Sequence, residues 1–292
     1  MECQISNLNL TVKIEQTGAE LSSIVSKSSG REFVWNADPS VWGSSAPVLF
    51  PIVGGLKNGQ TSHNGKLYSM PRHGIVRHNN NLHVLSQESD RITFRLTADE
   101  QTLEHYPFRF TFDINYRVKD NSLIITHTVK NTDDCDIYFS VGAHPAFNCP
   151  INEGESYTDC YLEFSERETL STSPLTKDGL VKNESIPVLT DSNILPLTEH
   201  LFDNDALIFR NLKSRCVTLR SHKSDTAVAV EFPDFNYLGI WAKPNAPFVC
   251  IEPWLGIADS ENGDGILEHK EAIIKLPVGQ KFEAKYTVTI IE

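Results

Sequence analysis

The sequence predicts an all-β protein, a large antiparallel β-sandwich. Apolar and polar side chains alternate with period two in several stretches, turn dipeptides separate those stretches, and no long stripe of period 3.6 is present. The clearest alternation is Phe108, Phe110, Phe112, Ile114, Tyr116 and Val118 against Arg109, Thr111, Asp113, Asn115 and Arg117, which predicts a long strand with one buried face. Ile92, Phe94 and Leu96 alternate just upstream, and Tyr286, Val288 and Ile290 do so near the end. Shorter β-like runs cover 123–129, 216–219, 227–232 and 248–251. Asn64-Gly65 and Asp178-Gly179 read as hairpin dipeptides, because such turns need positive φ. Lys119-Asp120-Asn121 predicts a third tight connection. Helix is expected only as one or two turns at 99–105 and 197–202. The polar stretch 165–205, punctuated by prolines, reads as the most loop-like region. With no repeat and no linker, one domain over 1–292 is the simplest organisation.

With 292 residues and 40% hydrophobic composition, the chain can bury a large core. Its net charge of -12 repels phosphate backbones, so nucleic acid and anionic membrane are not expected partners. No run of apolar residues is long enough for a membrane span. The start, MECQISNLNL, lacks the basic and apolar regions of a signal peptide, so a cytoplasmic location is expected. The six scattered cysteines then read as reduced thiols. An acidic surface is compatible with a monomer or a homodimer. GxGxxG, GxxxxGK[ST], GxSxG and HExxH are all absent, so no nucleotide cofactor, nucleophile elbow or metal is expected. Asp259-Ser-Glu-Asn-Gly-Asp264-Gly does not match the ligand spacing of a calcium loop and reads as an acidic surface turn.

Three segments place titratable side chains beside Gly or Pro, residues that fix unusual backbone shapes. They are 46–59 with 70–77, then 141–148, then 241–254. His144, between Ala143 and Pro145, is either a core histidine with one hydrogen bond or a general acid. Glu252 ends the run Phe248-Val-Cys-Ile and precedes Pro-Trp. It is either salt-bridged or a general base. His73, with Arg72 before it and Arg77 after it, is either solvated or part of a polar clamp. Trp241 and Trp254 are core residues or the apolar wall of a sugar pocket.

In order, the segments LFPIVGGLKNG, MPRHGIVR, VGAHPAFN, LFDNDALIF and FVCIEPWLGIADS cover nearly the whole chain. Together they resemble the aldose 1-epimerase (galactose mutarotase-like) family, closest to its LacX-like branch. The resemblance implies a supersandwich fold with the site in a cleft of one sheet, and a cofactor-free enzyme that interconverts the anomers of a free hexose such as galactose or glucose. It implies that Glu252 is the general base at the anomeric hydroxyl and His144 the general acid at the ring oxygen. It assigns His73 and Asp205 to sugar hydroxyls. Gly55 stands where the family often carries a sugar-contacting arginine, and Arg77 and Lys57 are the candidates to replace it. Arg77 also resembles an arginine of the hexose-6-phosphate mutarotase branch. A sugar phosphate is therefore one alternative substrate, and a non-catalytic carbohydrate-binding protein with the same pocket is another.

Overall fold

A computed structural model describes residues 1–292. Nearly all its regular structure is β, with one short α-helix, Glu100–His105. The largest sheet has nine strands in the order Ile186–Pro196, Cys160–Thr172, Cys216–Ser221, Ala227–Glu231, Lys281–Ile291, Ser122–Asn131, Phe110–Lys119, Arg91–Thr97 and His83–Gln87. Its paired strands all run antiparallel. A six-stranded sheet is ordered Leu207–Arg210, Tyr237–Trp241, Phe248–Leu255, Val141–Ala143 and Val48–Leu49, with Ala146–Asn148 also pairing along Phe248–Leu255.

The alternating residues between 108 and 118 all point inward and are buried. Across the interior, the ring of Phe112 stacks on Phe50 at 4.4 Å, and Phe164 meets Phe209 edge-on at 6.1 Å. Such contacts join the two sheets into a sandwich. One cluster of 71 buried side chains runs from Cys3 to Ile290. All six cysteines are free thiols.

Several expectations need correction. The stretch 165–205 is loop only in part: it carries most of Cys160–Thr172 and all of Ile186–Pro196, which form a long hairpin at one edge of the large sheet, while 173–185 and 197–205 lie outside the strands. Its alternation was blurred because three register shifts interrupt the pairing and an edge strand exposes both faces. Residues 197–202 form hydrogen-bonded turns and not helix, whereas Glu100–His105 is helical and capped by Asp99. In Asp178-Gly179 only Gly179 has positive φ, so the turn differs from Asn64-Gly65, where both residues do. Asp259 is not on the surface: it is 8% exposed and accepts from the Lys270 ammonium at 2.8 Å. Only the later part of that acidic segment is solvated.

Candidate active site

The strand Phe248–Leu255 is central to the smaller sheet and buried along its whole length. Facing it, Gly142 pairs with Trp254 and Ala146 with Cys250. Both pairs sum to 396, so the same register sets residue 144 opposite residue 252. The ladder loosens there because Pro253 and Pro145 lack N–H groups. Pro145 still accepts from the Ile251 N–H at 3.2 Å, which holds the register. As a result His144 Nε2 stands 3.3 Å from Glu252 Oε2.

Both side chains are nearly buried, Glu252 at 1% and His144 at 8% exposure. Glu252 Oε2 and His144 Nδ1 make no hydrogen bond. Trp42 stacks on the imidazole at 5.1 Å, and Trp241 meets it edge-on at 5.8 Å. Burial and the neighbouring Arg77 push His144 down to about 3. Burial, reinforced by the Asp205 charge, holds Glu252 well above the usual carboxylate range.

His73 is placed by a strained loop. Its φ is 70° and that of Gly74 is 84°, in the left-handed region. Gly74 is required there, since a Cβ would lie 2.1 Å from the Phe50 carbonyl oxygen. The His73 N–H donates to the Gly54 carbonyl at 2.9 Å, and the Gly54 N–H donates to His73 Nδ1 at 3.2 Å. Burial, aided by His144 and two arginines, lowers the His73 pKa and keeps it neutral. With Nδ1 accepting, Nε2 carries the proton and is the ring's free donor.

These groups line a cleft of ≈ 1010 Å³ that also takes in Arg77, Asp205, Trp241 and Trp254. The Arg77 guanidinium donates to Ser44 Oγ at 3.0 Å. Asp205, with φ 76°, sits exposed at the rim and accepts from the Ala206 N–H at 2.8 Å. Lys57 does not line the cleft. Its ammonium donates to the Gly263 carbonyl at 3.0 Å, because the Lys57 N–H is fixed to Asp259 Oδ2 and the chain turns away. Among the lining residues that sequence reasoning passed over are two beside the histidines. Trp42 carries no motif signal, and Arg72 was noted only as the neighbour of His73. A second cavity of ≈ 750 Å³, lined almost wholly by polar residues, shares Arg72 and Arg77 but includes neither His144 nor Glu252.

His144, Cys250 and Glu252 place donor atoms within 4.8 Å of one another, a set that could hold a thiophilic divalent ion. Trp254 fills a slot that requires glycine on the neighbouring strand. A Cβ at Gly239 would fall 2.4 Å from the indole, which is buried and cannot swing aside. Gly239→Ala is therefore expected to cost about 1–3 kcal/mol of stability through overpacking. Thermal unfolding checks this, and an unchanged Tm would show that the indole yields.

Comparisons with known proteins give the family and the fold. The family model described as aldose 1-epimerase matches residues 1–268. Protein LacX, the plasmid form from Lactococcus lactis subsp. lactis, is 36% identical over the full length of both chains. A galactose mutarotase related enzyme from Lactobacillus acidophilus is 38% identical, with a TM-score of 0.95 over 99% of this chain and 97% of the other. A galactose mutarotase-like protein from Lactobacillus casei is 28% identical, with a TM-score of 0.93 over 99% and 100%. A buried histidine–carboxylate pair in a tryptophan-lined cleft thus sits within a chain that belongs to the aldose 1-epimerase family.

Proposed function

We propose that this chain is a mutarotase that opens and recloses the ring of a free hexose by paired acid–base catalysis. The observation that carries the reading is the separation of 3.3 Å between His144 Nε2 and Glu252 Oε2 at the wall of the cleft. The hydroxyl and ring oxygens of a cyclic hemiacetal share one carbon, and a pair this close reaches both. Ionised Glu252 takes the proton of the anomeric hydroxyl, and protonated His144 delivers one to the ring oxygen as the C1–O bond breaks. The product is the open aldehyde, with Glu252 protonated and His144 neutral. After the C1–C2 bond rotates, the same two groups run the steps in reverse and close the ring to the other anomer. Proton count balances, and no redox step is involved. His73 Nε2–H and the Asp205 carboxylate hold sugar hydroxyls, and the tryptophans offer flat apolar faces to the ring.

Polarimetry of fresh α-D-glucose and α-D-galactose tests the reading. Faster approach to anomeric equilibrium is expected with at least one sugar, and no acceleration with either counts against a free hexose. A second reading, a sugar phosphate substrate, is favoured by one feature. Arg72 and Arg77 line the cleft, and neither guanidinium has a carboxylate within 4.0 Å. Acceleration confined to the hexose 6-phosphates would select it.

A further inference from the structure

Arg72 is set apart from most other arginines of this chain. Acidic residues outnumber basic ones, 38 to 26, and arginines elsewhere find partners readily. Arg95 grips Asp113 with two hydrogen bonds, Arg210 meets Glu271 at 2.9 Å, and Arg31 reaches Glu292 at 3.0 Å. Arg72 makes neither a salt bridge nor a hydrogen bond with the protein, although it lines the cleft directly before His73.

Its position is nevertheless built. One glycine, Gly179, vacates the space that the end of the side chain takes, and a second, Gly55, lies beside it at ordinary contact distance. A Cβ on Gly179 would lie 1.4 Å from one terminal nitrogen of the guanidinium, so the group lies against bare backbone. A Cβ on Gly55 would lie 4.0 Å from Arg72 Nε and 3.7 Å from the carbonyl oxygens of Asp178 and Gly179. Gly179 is the turn of a small hairpin in which Leu175 bridges Val181 and the Gly179 N–H donates to Thr176. That hairpin is anchored on its far side, where the Val181 N–H donates to the Asp259 carbonyl at 2.8 Å and Asp259 in turn holds Lys270. The Arg72 side chain is thus exposed at the cleft, its guanidinium lying on the backbone of a fixed hairpin tip with no protein partner for its donors.

We propose that Arg72 is a substrate-binding residue whose guanidinium fork donates to adjacent hydroxyl oxygens of the sugar. The proposal rests on the reading of the cleft as a sugar site. A guanidinium suits the task because its planar donors match two oxygens at once, which an ammonium cannot do. Arg77 does not substitute, since part of its fork is spent on Ser44 and its Nε is buried without a partner.

The test compares the wild type with Arg72→Ala, Arg72→Lys and Gly179→Ala. The first two change the fork itself. Gly179→Ala leaves Arg72 in place chemically but drives a methyl group into the space its guanidinium occupies. Two readouts are taken with D-glucose and D-galactose as probes. Tryptophan fluorescence gives Kd, and polarimetry gives KM and kcat. Arg72→Ala is expected to raise Kd and KM roughly ten- to a hundredfold, as loss of charged hydrogen bonds does, with kcat changed far less. Arg72→Lys recovers only part of the loss, and Gly179→Ala weakens binding in the same direction. Wild-type Kd in Arg72→Ala overturns the proposal, and wild-type Kd in Arg72→Lys overturns the role of the fork. A wild type that binds sugar without turning it over defeats the mutarotase reading alone, and the Kd series still decides the role of Arg72. A wild type that binds neither sugar defeats both.

Discussion

Glu252→Gln is expected to lower the rate of ring opening by about 10²–10⁴-fold, the usual contribution of a positioned base. The fold itself gives no reason for a broad loss. Glutamine has the volume of glutamate, and burial already favours the neutral form of this side chain, since its pKa lies well above the carboxylate range. The substitution replaces a protonated carboxyl with an amide of the same shape, in a strand whose neighbours keep their register. Stability should therefore hold or rise, and sugar affinity should stay within about tenfold, as for the loss of one hydrogen bond. Only the ability to accept a proton disappears. Polarimetry gives the rate, fluorescence titration gives Kd, and thermal unfolding confirms the fold. Normal turnover in the variant would remove Glu252 as the base, and a collapse of affinity with rate would make it a binding residue instead.

The features legible in the sequence and those that were not differ for physical reasons. The strands at 91–97, 110–119 and 281–291 each keep one face in the core, so their period-two pattern was plain. The hairpin Cys160–Thr172 with Ile186–Pro196 lies at a sheet edge with bulges, so its pattern was lost. His144 and Glu252 were each visible as a titratable group beside proline. Their joint role came only from the family resemblance, and their contact was not legible, because 107 intervening residues separate them and only the register of the strands around Phe248–Leu255 brings them together. Lys57 looked equivalent to Arg77 on paper, since both follow glycine-containing motifs. A hydrogen bond from its own N–H to Asp259, over two hundred residues away, turns it from the cleft. Asp259 itself read as solvated because its partner Lys270 is invisible without the fold. Arg72 was hidden by the opposite effect: what marks it is the absence of a side chain at Gly179 and of any protein partner for its guanidinium.

His144→Asn should reverse the sign of the pH dependence, and this separates acid–base pairing from simple proximity. His144 is lowered to about 3 and Glu252 is raised, so between those values the pair holds one proton in total. At rest that proton sits on Glu252, because a neutral pair is cheaper to bury than an ion pair. This is the form that closes the ring. Opening uses the other tautomer, with the proton on His144, whose fraction is set by the energy gap and not by pH. Wild-type activity should thus be flat across the one-proton window. It should fall on the alkaline side as pH passes the raised Glu252 pKa, since the pair then has a base but no acid. Asparagine cannot serve as the acid, so the variant should be about 10²–10⁴-fold slower. Its residual rate depends on ionised Glu252 alone and should rise through the same pKa, as the base becomes available. Rate profiles of the two proteins, taken from the acid side through the alkaline limb, should therefore cross in slope at one pH. A variant profile that falls in parallel with the wild type would mean that His144 does not carry the second proton. A wild-type profile that rises with the variant would mean that Glu252 works without an acid partner at all.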